Sequence, residues 1–519
     1  MYSNKENVNI LTSLLVAHGV RHAVCCPGSR NAPIVHNLSE CPHIQCYPVT
    51  DERSAGFYAL GMSQCLKEPV AVCVTSGTAL LNLAPAVAEA YYQHIPLVVI
   101  SADRPPQWID QLDGQTLPQP DALGRFVRKA VSLPEPHDTE SRWYCNRLVN
   151  EVLLEKHAPV HINVPISEPL FNFSIAALPE ERKIDILSAD ITNHTLSHVC
   201  RMFMQSKRPL LIAGQPMNPG YDEAVCLIGD DESYVPDFVL YIGGSVVSKH
   251  LKHFLRKAKE TWVVNATGEV TDTFMNLTHI IQGDADVVAD QIRFLLEQQP
   301  HPFVQKWESL LNKVSAHAAG YQPDYSEMAA VKCFETQMML ANHNSQFAVH
   351  YANSTAIRLA NIFAQHSVYC NRGVNGIDGS LSTAAGFSCV TDDPVFCVIG
   401  DLSFFYDQNA LWNQNLTGNF RVLLLNNGKG GIFNMLKGLE QSPARDRFVA
   451  AEHHTSAEGI CQQNHVQYLK ATNMTELQQG LNTLLTIKSD RPVLLEVFTD
   501  PSEDERVFRD YYHFLDIST

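Results

Sequence analysis

The chain has 519 residues, enough for about three domains, and its 45% hydrophobic and 18% charged residues are typical of a globular protein. A formal net charge of -17 argues against nucleic acid or an anionic membrane as a partner, so an acidic substrate would need a local cluster of Arg and Lys. Fourteen cysteines without metal-ligand spacing, a polar start and the lack of a membrane-spanning apolar run favour reduced thiols in the cytoplasm.

The first segment, residues 1–180, alternates apolar strands with helices, which predicts a doubly wound sheet of mainly parallel strands. Strands are predicted over His22 to Cys25, Ala71 to Thr75 and Leu97 to Ser101. Ser76 and Gly77 follow the second of these strands. They would lie at the carboxyl edge of the sheet, where ligands bind in such folds, although a plain strand-to-helix turn explains them equally well.

The middle segment, residues 181–327, predicts a smaller α/β unit with strands over Arg208 to Gly214, Phe238 to Gly244 and Thr261 to Asn265. The turn at residues 243–245 lacks the GxGxxG pattern, which favours a tight turn over a dinucleotide site. The stretches at 178–181 and 315–327 are predicted to be linkers.

The last segment, residues 328–519, repeats the alternation of strands and helices. Its strands are predicted over Ser367 to Cys370, Val395 to Ile399, Val422 to Leu425 and Val493 to Val497. Together the three segments predict three doubly wound α/β domains with mainly parallel sheets.

Two predicted strands of the last segment end in residues suited to a metal and a phosphate. Asp401 follows one strand and Asn427 follows the next, and the carboxylate, the amide oxygen and the carbonyl of Lys429 form a hard oxygen set for Mg²⁺. Gly430 and Gly431 are predicted to offer backbone N–H groups to phosphate. Asn427, the second residue of an Asn-Asn pair, lies twenty-six positions after Asp401. Gly283-Asp284 also follows an apolar run, but no Asn-Asn pair lies at a similar distance after it, which indicates an ordinary strand end.

The Gly-Asp pair followed by Asn-Asn resembles the metal-diphosphate motif of thiamine diphosphate enzymes, with Leu402 in place of the usual Gly. Thiamine chemistry needs a carboxylic acid against the pyrimidine ring, just after a strand of the first domain. Asp51 and Glu52 follow the predicted strand Gln45 to Val49 and open a helix, so either acid could simply cap it. We predict that Glu52 is the activating acid.

Three further stretches resemble one family, the 2-succinyl-5-enolpyruvyl-6-hydroxy-3-cyclohexene-1-carboxylate synthases of menaquinone biosynthesis. These stretches are Cys26 to Asn31, Ser101 to Pro106 and Asn371 to Gly379, and the sequence Gly-Asp-Leu-Ser at 400–403 is similar as well. The resemblance implies a thiamine diphosphate-enzyme architecture and a homodimer or dimer of dimers. Thiamine diphosphate and Mg²⁺, with Mn²⁺ as the alternative ion, would lie between two chains.

The resemblance also implies the reaction, which is decarboxylation of 2-oxoglutarate and 1,4-addition of the resulting succinyl carbanion equivalent to isochorismate. It implies that Ile377 bends the cofactor and that residues around the two strand ends hold it, namely Glu52, Ser76, Gly77, Gly400, Asp401, Leu402, Ser403, Asn427, Gly430 and Gly431. The substrate-binding residues that it implies are Ser29, Arg30, Arg104, Gln115, Lys249, Ser354, Arg358 and Arg372. His250 stands where the family pattern has arginine, which puts its contribution to anion binding in question.

Two alternatives remain open at this point. One is another thiamine diphosphate-dependent 2-oxoacid decarboxylase or an acetohydroxyacid-type synthase, with flavin in the middle domain. Recognition of two dianions by arginines and the lack of a dinucleotide fingerprint count against it. The other is a non-catalytic subunit with the same fold, against which the presence of Glu52, Asp401 and Asn427 argues.

Overall fold

The computed structural model describes residues 1–184, 193–213, 220–341, 346–435 and 438–517, and the strands in these ranges form three sheets. Every strand pair within these sheets is parallel, and helices connect most successive strands. The predicted α/β fold class is therefore confirmed. The sheets fall within the three predicted segments, whereas the exact domain boundaries stay a prediction.

The first sheet has six strands in the order β2-β1-β3-β4-β6-β5. The strands are β1 (His22–Cys25), β2 (Gln45–Pro48), β3 (Val70–Val74), β4 (Leu97–Asp103), β5 (Lys129–Ser132) and β6 (Val160–Pro165). The helices are α1 (Glu6–Ala17), α2 (Ala32–Glu40), α3 (Glu52–Leu66), α4 (Thr78–Asn82), α5 (Ala84–Gln93) and α6 (Thr139–Leu153). All residues of β3 and β4 are buried, as expected for central strands covered by helices on both faces.

The middle sheet has four strands in the order β10-β9-β8-β7. The strands are β7 (Pro209–Ala213), β8 (Phe238–Ile242), β9 (Glu260–Asn265) and β10 (Leu277–Gln282). The helices are α7 (Asn193–Gln205), α8 (Tyr221–Ile228), α9 (Lys249–Leu255), α10 (Ala285–Gln298) and α11 (Pro302–Gly320). Gly214, the predicted end of the first of these strands, lies outside the described residues. Gly243 follows β8 with φ of 78°, a conformation that glycine adopts readily in a tight turn.

The last sheet has five strands in the order β11-β12-β13-β15-β14. The strands are β11 (Ala348–Tyr351), β12 (Val395–Gly400), β13 (Phe420–Asn426), β14 (Gln467–Ala471) and β15 (Val493–Phe498). The helices are α12 (Glu327–Ala341), α13 (Thr355–Phe363), α14 (Ser380–Ser388), α15 (Asp401–Tyr406), α16 (Glu458–Gln463), α17 (Met474–Thr486) and α18 (Pro501–Ile517).

Helices α3 and α14 join the first and last units through a close crossing. A side-chain carbon added at Gly61 would lie 1.9 Å from the carbonyl oxygen of Thr383, and one added at Gly386 would lie 2.2 Å from that of Tyr58. Because both obstacles are backbone atoms, only glycine permits this approach. The hydroxyl of Tyr58 also donates to the carbonyl of Ala410 at 2.6 Å. The crossing fixes the helix that begins at Glu52 against the unit that carries Asp401.

The predicted strand at Ser367 to Cys370 is wrong. Only Tyr369 forms an isolated bridge, with His350, through hydrogen bonds to the backbone of Val349 and Tyr351. The chain then turns, because the side-chain amide of Asn353 donates to the carbonyl of Asn371 at 2.7 Å. A segment this short pairs over one residue and cannot extend the sheet.

The predicted linker from Ser315 to Glu327 is also wrong over much of its length. Helix α11 continues through Gly320, and α12 begins at Glu327, so the connection is confined to residues 321–326. Apolar residues Val314 and Ala318 continue the buried face of α11, which outweighs the polar composition of the stretch.

No helix among the described residues is long and apolar enough to cross a membrane. No disulfide joins the cysteines of the described chain, and most of their thiols are buried or half-buried.

Candidate active site

Two neighbouring strands place Asp401 and Asn427 at the same edge of the last sheet. Gly400, the last residue of β12, pairs with Leu425 of β13, so the residues that follow both strands emerge side by side. Asp401 is buried and is the first residue of α15. Its carboxylate accepts hydrogen bonds from the backbone N–H groups of Leu402 at 2.6 Å and Gly428 at 2.8 Å. The structure thus brings Asp401 and Asn427, two of the three predicted metal ligands, to the same edge of the sheet.

The side-chain amide of Asn427 is held by an acid of the C-terminal helix. Its Nδ2 donates to Oδ2 of Asp504 at 3.1 Å, while its Oδ1 accepts from the backbone N–H of Lys429 at 3.2 Å. Glu327 is buried beside Asp504, and its backbone N–H donates to Asp504 at 2.8 Å. Burial, reinforced by the nearby carboxylates of Asp504 and Asp401, raises the pKa of Glu327 well above its usual range.

The glycine-rich loop differs in one respect from the sequence expectation. The N–H of Gly430 donates to the carbonyl of Ala450 at 2.7 Å, so the expectation that it is free for phosphate is wrong. Gly431 begins a short 3₁₀ helix, a position whose N–H has no partner within its own helix. A side-chain carbon at Gly431 would lie 2.9 Å from Nδ2 of Asn427, so the loop packs directly on the predicted metal ligand.

His453 also lies at this site. Its Nε2 is 3.4 Å from Oδ2 of Asp401, and its backbone N–H donates to the carbonyl of Gly428 at 2.7 Å. The nearby Asp401 carboxylate raises the pKa of His453. No sequence pattern links a histidine fifty-two positions away to Asp401, so only the fold reveals the contact.

A polar turn connects the metal-ligand edge to the predicted substrate arginines. The hydroxyl of Ser403 donates to the carbonyl of Ile377, whose side chain is 42% exposed and therefore available to a bound group. The Asn353 amide donates to the carbonyl of Gly376 at 2.7 Å and accepts from Nη1 of Arg372 at 3.0 Å. Ser354 follows with φ of 75°, a strained conformation of the kind that clusters at functional sites.

The first unit holds the turn that carries Arg372. Glu89, a buried residue of α5, accepts from the backbone N–H groups of Gly373 and Val374, each at 2.7 Å. A carboxylate with two such bonds fixes the turn against α5. Arg372 therefore depends on two units of the fold for its position.

Several cations gather near Arg372, and none of them forms a salt bridge within the described part of the chain. Burial lowers the pKa of Arg372, and the neighbouring cation Arg358 adds to the effect, while the carboxylate of Glu89 partly opposes it. Burial likewise lowers the pKa of Lys252, with further contributions from Arg372 and Lys249. Lys252 belongs to none of the sequence motifs, although it lies three positions after Lys249 and hence on the same side of α9. Mutual repulsion of this kind is relieved when an anion binds.

His250, the residue that departs from the family pattern, is directed elsewhere. Its Nδ1 lies 3.2 Å from Oδ1 of Asp222, and its side chain is mostly exposed. Lys249 is exposed as the first residue of the same helix.

The structure distinguishes Asp51 from Glu52. Asp51 caps α3, because its carboxylate accepts from the backbone N–H groups of Arg53 at 2.9 Å and Ser54 at 3.3 Å. Its second oxygen accepts from Asn409 at 2.7 Å. Glu52 takes no part in the cap and accepts from Nδ2 of Asn82 at 3.2 Å. Asp51 is thus committed to structure, which supports Glu52 as the chemical acid.

Ser76 and Gly77 lie against the loop that carries Gln115. The N–H of Gly77 donates to the buried side chain of Gln119 at 2.7 Å. A side-chain carbon at Gly77 would lie 3.4 Å from the backbone of Gln115, and φ of Gly77 is 88°. The structure therefore brings these predicted residues together at the carboxyl edge of β3 and β4.

Arg30 and Arg104 lie at the same edge but have acidic partners. Arg30 is buried and donates to the carbonyl of Ile166 and to Glu168, both at 2.9 Å. Nη1 of Arg104 lies 2.7 Å from Oδ2 of Asp113. Ser29, next to Arg30, is exposed. These two arginines are less available to a substrate than Arg358 and Arg372.

Family models match both outer units of the fold. The N-terminal TPP binding domain of thiamine pyrophosphate enzymes matches residues 6–123, and the C-terminal TPP binding domain matches residues 352–497. Fold and site together define a thiamine diphosphate-dependent enzyme.

Relatives that are similar over nearly the whole chain identify the family within this class of enzymes. The 2-succinyl-5-enolpyruvyl-6-hydroxy-3-cyclohexene-1-carboxylate synthases of Bacteroides thetaiotaomicron and Bacteroides fragilis are each 43% identical, over 99% of this chain and 100% of their own length. The synthase of Flavobacterium johnsoniae is 34% identical over 96% of both chains. The chain belongs to the 2-succinyl-5-enolpyruvyl-6-hydroxy-3-cyclohexene-1-carboxylate synthase family.

Proposed function

We propose that the protein decarboxylates 2-oxoglutarate with thiamine diphosphate and adds the remaining acyl unit to isochorismate. The product would be 2-succinyl-5-enolpyruvyl-6-hydroxy-3-cyclohexene-1-carboxylate, an intermediate of menaquinone biosynthesis. The observation that carries the substrate assignment is the group of cations around Arg372, which form no salt bridge among the described residues of a chain with net charge -17. Both substrates are dianions, and such a group attracts them where the surface as a whole does not.

The residues at the edge of the last sheet fit a metal-bound diphosphate. Asp401 supplies a buried carboxylate, and Asp504 holds the NH₂ group of Asn427. The amide oxygen, which accepts from the N–H of Lys429, has a second lone pair for a metal. A side-chain carbon added at Gly400 would meet open space, so the backbone there is accessible to a large group. We propose Asp401, Asn427 and the carbonyl of Lys429 as ligands of Mg²⁺, or of Mn²⁺ in its place. When bound, the cofactor supplies the electron sink that decarboxylation requires.

The remaining residues bind, orient and move a proton. Glu52 would hold the proton on the pyrimidine ring, and Ile377 would press the cofactor into its reactive shape. Arg358 and Arg372 would hold substrate carboxylates bidentately in a site from which water is excluded. Ser29, Ser354, Gln115 and Lys249 would add polar contacts to the same substrates.

We expect Arg358→Ala and Arg372→Ala to impair both substrates while cofactor affinity stays nearly unchanged. Loss of a desolvated contact to a carboxylate costs about 2–5 kcal/mol, or about 30-fold and more in kcat/KM. Lys at either position should restore only part of the loss, because an ammonium lacks the planar fork. Steady-state kinetics with each substrate and calorimetry with thiamine diphosphate measure the two effects separately.

Arg30→Ala and Arg104→Ala should have smaller effects than the first pair, because Glu168 and Asp113 already neutralise these guanidinium groups. Arg293→Ala is the matched control, since this arginine pairs with Asp290 on an exposed helix surface. Wild-type kinetics in all four variants would show that these arginines do not hold the substrates.

We also propose that the enzyme is a cytoplasmic homodimer or dimer of dimers in which two chains share each active site. Asp401 begins α15, whereas α3 meets the other end of that helix, where Arg53 donates to the carbonyl of Tyr406 at 2.8 Å. Glu52 therefore lies near the end of α15 opposite to Asp401 in one chain. Leu81 and Trp412 are among the exposed apolar side chains that a second copy could cover.

Mixing two inactive variants tests the shared site. If Glu52 of one chain completes the site of Asp401 in another, mixed dimers of Glu52→Gln and Asp401→Ala should contain one intact site and regain activity. Subunit exchange followed by a turnover assay measures this recovery, and Glu52→Gln mixed with itself is the control. No recovery after demonstrated subunit exchange would contradict a site shared between chains.

A further inference from the structure

Asp504 of α18 collects three hydrogen bonds beside the proposed metal site. Its Oδ2 accepts from Nδ2 of Asn427 at 3.1 Å and from the hydroxyl of Thr499 at 2.8 Å. Its Oδ1 accepts from the backbone N–H of Glu327 at 2.8 Å. Asp504 thereby ties three separate parts of the last unit to one carboxylate.

The amide of Asn427 needs such a partner because its two ends differ chemically. Its oxygen can bind a divalent cation, whereas its NH₂ group can only donate hydrogen bonds. Rotation about the last side-chain bond exchanges the two ends at little intrinsic cost. Both oxygens of Asp504 accept hydrogen bonds, so Asp504 selects the orientation in which NH₂ faces it, and the backbone N–H of Lys429, which donates to the amide oxygen, favours the same orientation.

We propose that Asp504 is a positioning residue that directs the amide oxygen of Asn427 toward the bound metal. The inference rests on the metal role proposed above for Asn427 and concerns a residue outside the strand-end motif. Asp504 lies seventy-seven positions after Asn427 in the chain, and the two side chains meet because α18 follows β15, the strand next to β13.

An amide in place of the Asp504 carboxylate could not do the same. If the amide oxygen at position 504 kept the bond to Glu327, the NH₂ group at position 504 would face the NH₂ group of Asn427. The side chain of Asn427 would then rotate and direct its NH₂ group toward the metal. If it kept the bond to Asn427 instead, the buried N–H of Glu327 would lose its acceptor. Either arrangement weakens the site.

The test is the Mg²⁺-dependent affinity for thiamine diphosphate, measured by calorimetry on the full chain. We expect D504N to weaken this affinity about 10- to 100-fold, the usual effect of losing a group that orients a metal ligand. The reciprocal double variant N427D/D504N should restore most of it. Its carboxylate at position 427 would bind the metal and accept from the amide at position 504, whose oxygen would keep the bond to Glu327. D500N is the matched control, since Asp500 caps the start of α18 through Ser502 and Glu503.

Wild-type affinity in D504N would overturn the proposal. So would an equal loss in D504N and in the double variant, because a general structural role of Asp504 is not reversed by the exchange. N427A separates this inference from the metal role itself. Unchanged affinity in N427A would refute the metal role, whereas a loss in N427A but not in D504N would refute only the positioning. If D504N does not fold, the double variant carries the test against the wild-type protein.

Discussion

Glu52→Gln is expected to abolish exchange of the thiazolium hydrogen of bound thiamine diphosphate while the fold remains intact. Glutamine can still hydrogen-bond to the pyrimidine ring, but it has no proton to give, and general acid–base catalysis of this kind contributes about 10²–10⁴-fold. The side chain of Glu52 makes no contact with the cap of α3, so the substitution leaves that helix start unchanged. NMR after acid quenching follows the exchange directly and does not depend on either substrate.

Asp51→Asn provides the control for this experiment. Asp51 is the neighbouring acid that caps α3 and accepts from Asn409. Because asparagine caps a helix about as well as aspartate, the replacement should leave the fold intact without slowing the exchange. Near wild-type exchange of the thiazolium hydrogen in Glu52→Gln would refute the assignment of Glu52 as the catalytic acid. Slow exchange in Asp51→Asn alone would move that role to Asp51.

Asp401→Ala is expected to lose metal and cofactor together. Asp401 supplies the only charged ligand atom among the proposed metal ligands, so its removal weakens Mg²⁺ binding and leaves the diphosphate charge uncompensated in a buried site. Removing one partner of a buried charge pair costs about 2–5 kcal/mol, so the affinity for thiamine diphosphate in Mg²⁺ should fall about 30-fold or more. Calorimetry at fixed Mg²⁺ measures this change.

Asp284→Ala is the matched control, because this acid also follows a glycine at the end of a strand. It caps α10 through the N–H of Asp286 at 2.8 Å and should affect stability but not cofactor binding. Asp401→Asn is a second variant that preserves the side-chain shape and can still accept one of the two backbone hydrogen bonds. Unchanged cofactor affinity in both Asp401 variants would refute the metal role.

Strand-end positions could be predicted from the sequence because a parallel strand fixes where the next residues emerge. Asp401 and Asn427 follow two apolar runs, and adjacent pairing of β12 and β13 then brings them together. The same reasoning places Ser76 and Arg104 at the edge of the first sheet. The prediction of a strand at residues 367–370 was wrong, because this segment forms only a single bridge to the sheet.

Contacts between distant segments could not be predicted, since they depend on how helices pack over the sheet. Asp504 meets Asn427, and His453 meets Asp401, without any local pattern that links the residues. The hydrogen bond from the N–H of Gly430 to the carbonyl of Ala450 is a further example, because no sequence pattern predicts that these two segments lie together. Such residues surround the motif and decide its geometry.

The proposed reaction is tested by supplying 2-oxoglutarate, labelled at the carboxylate next to the keto group, with thiamine diphosphate and Mg²⁺, with and without isochorismate. We expect labelled CO₂ to be released rapidly only when isochorismate is present, both substrates to be consumed equally, and their adduct to form. Pyruvate in place of 2-oxoglutarate should react poorly, because it lacks the second carboxylate that an arginine would hold. Release of CO₂ with isochorismate left unchanged, or preference for pyruvate, would contradict the account.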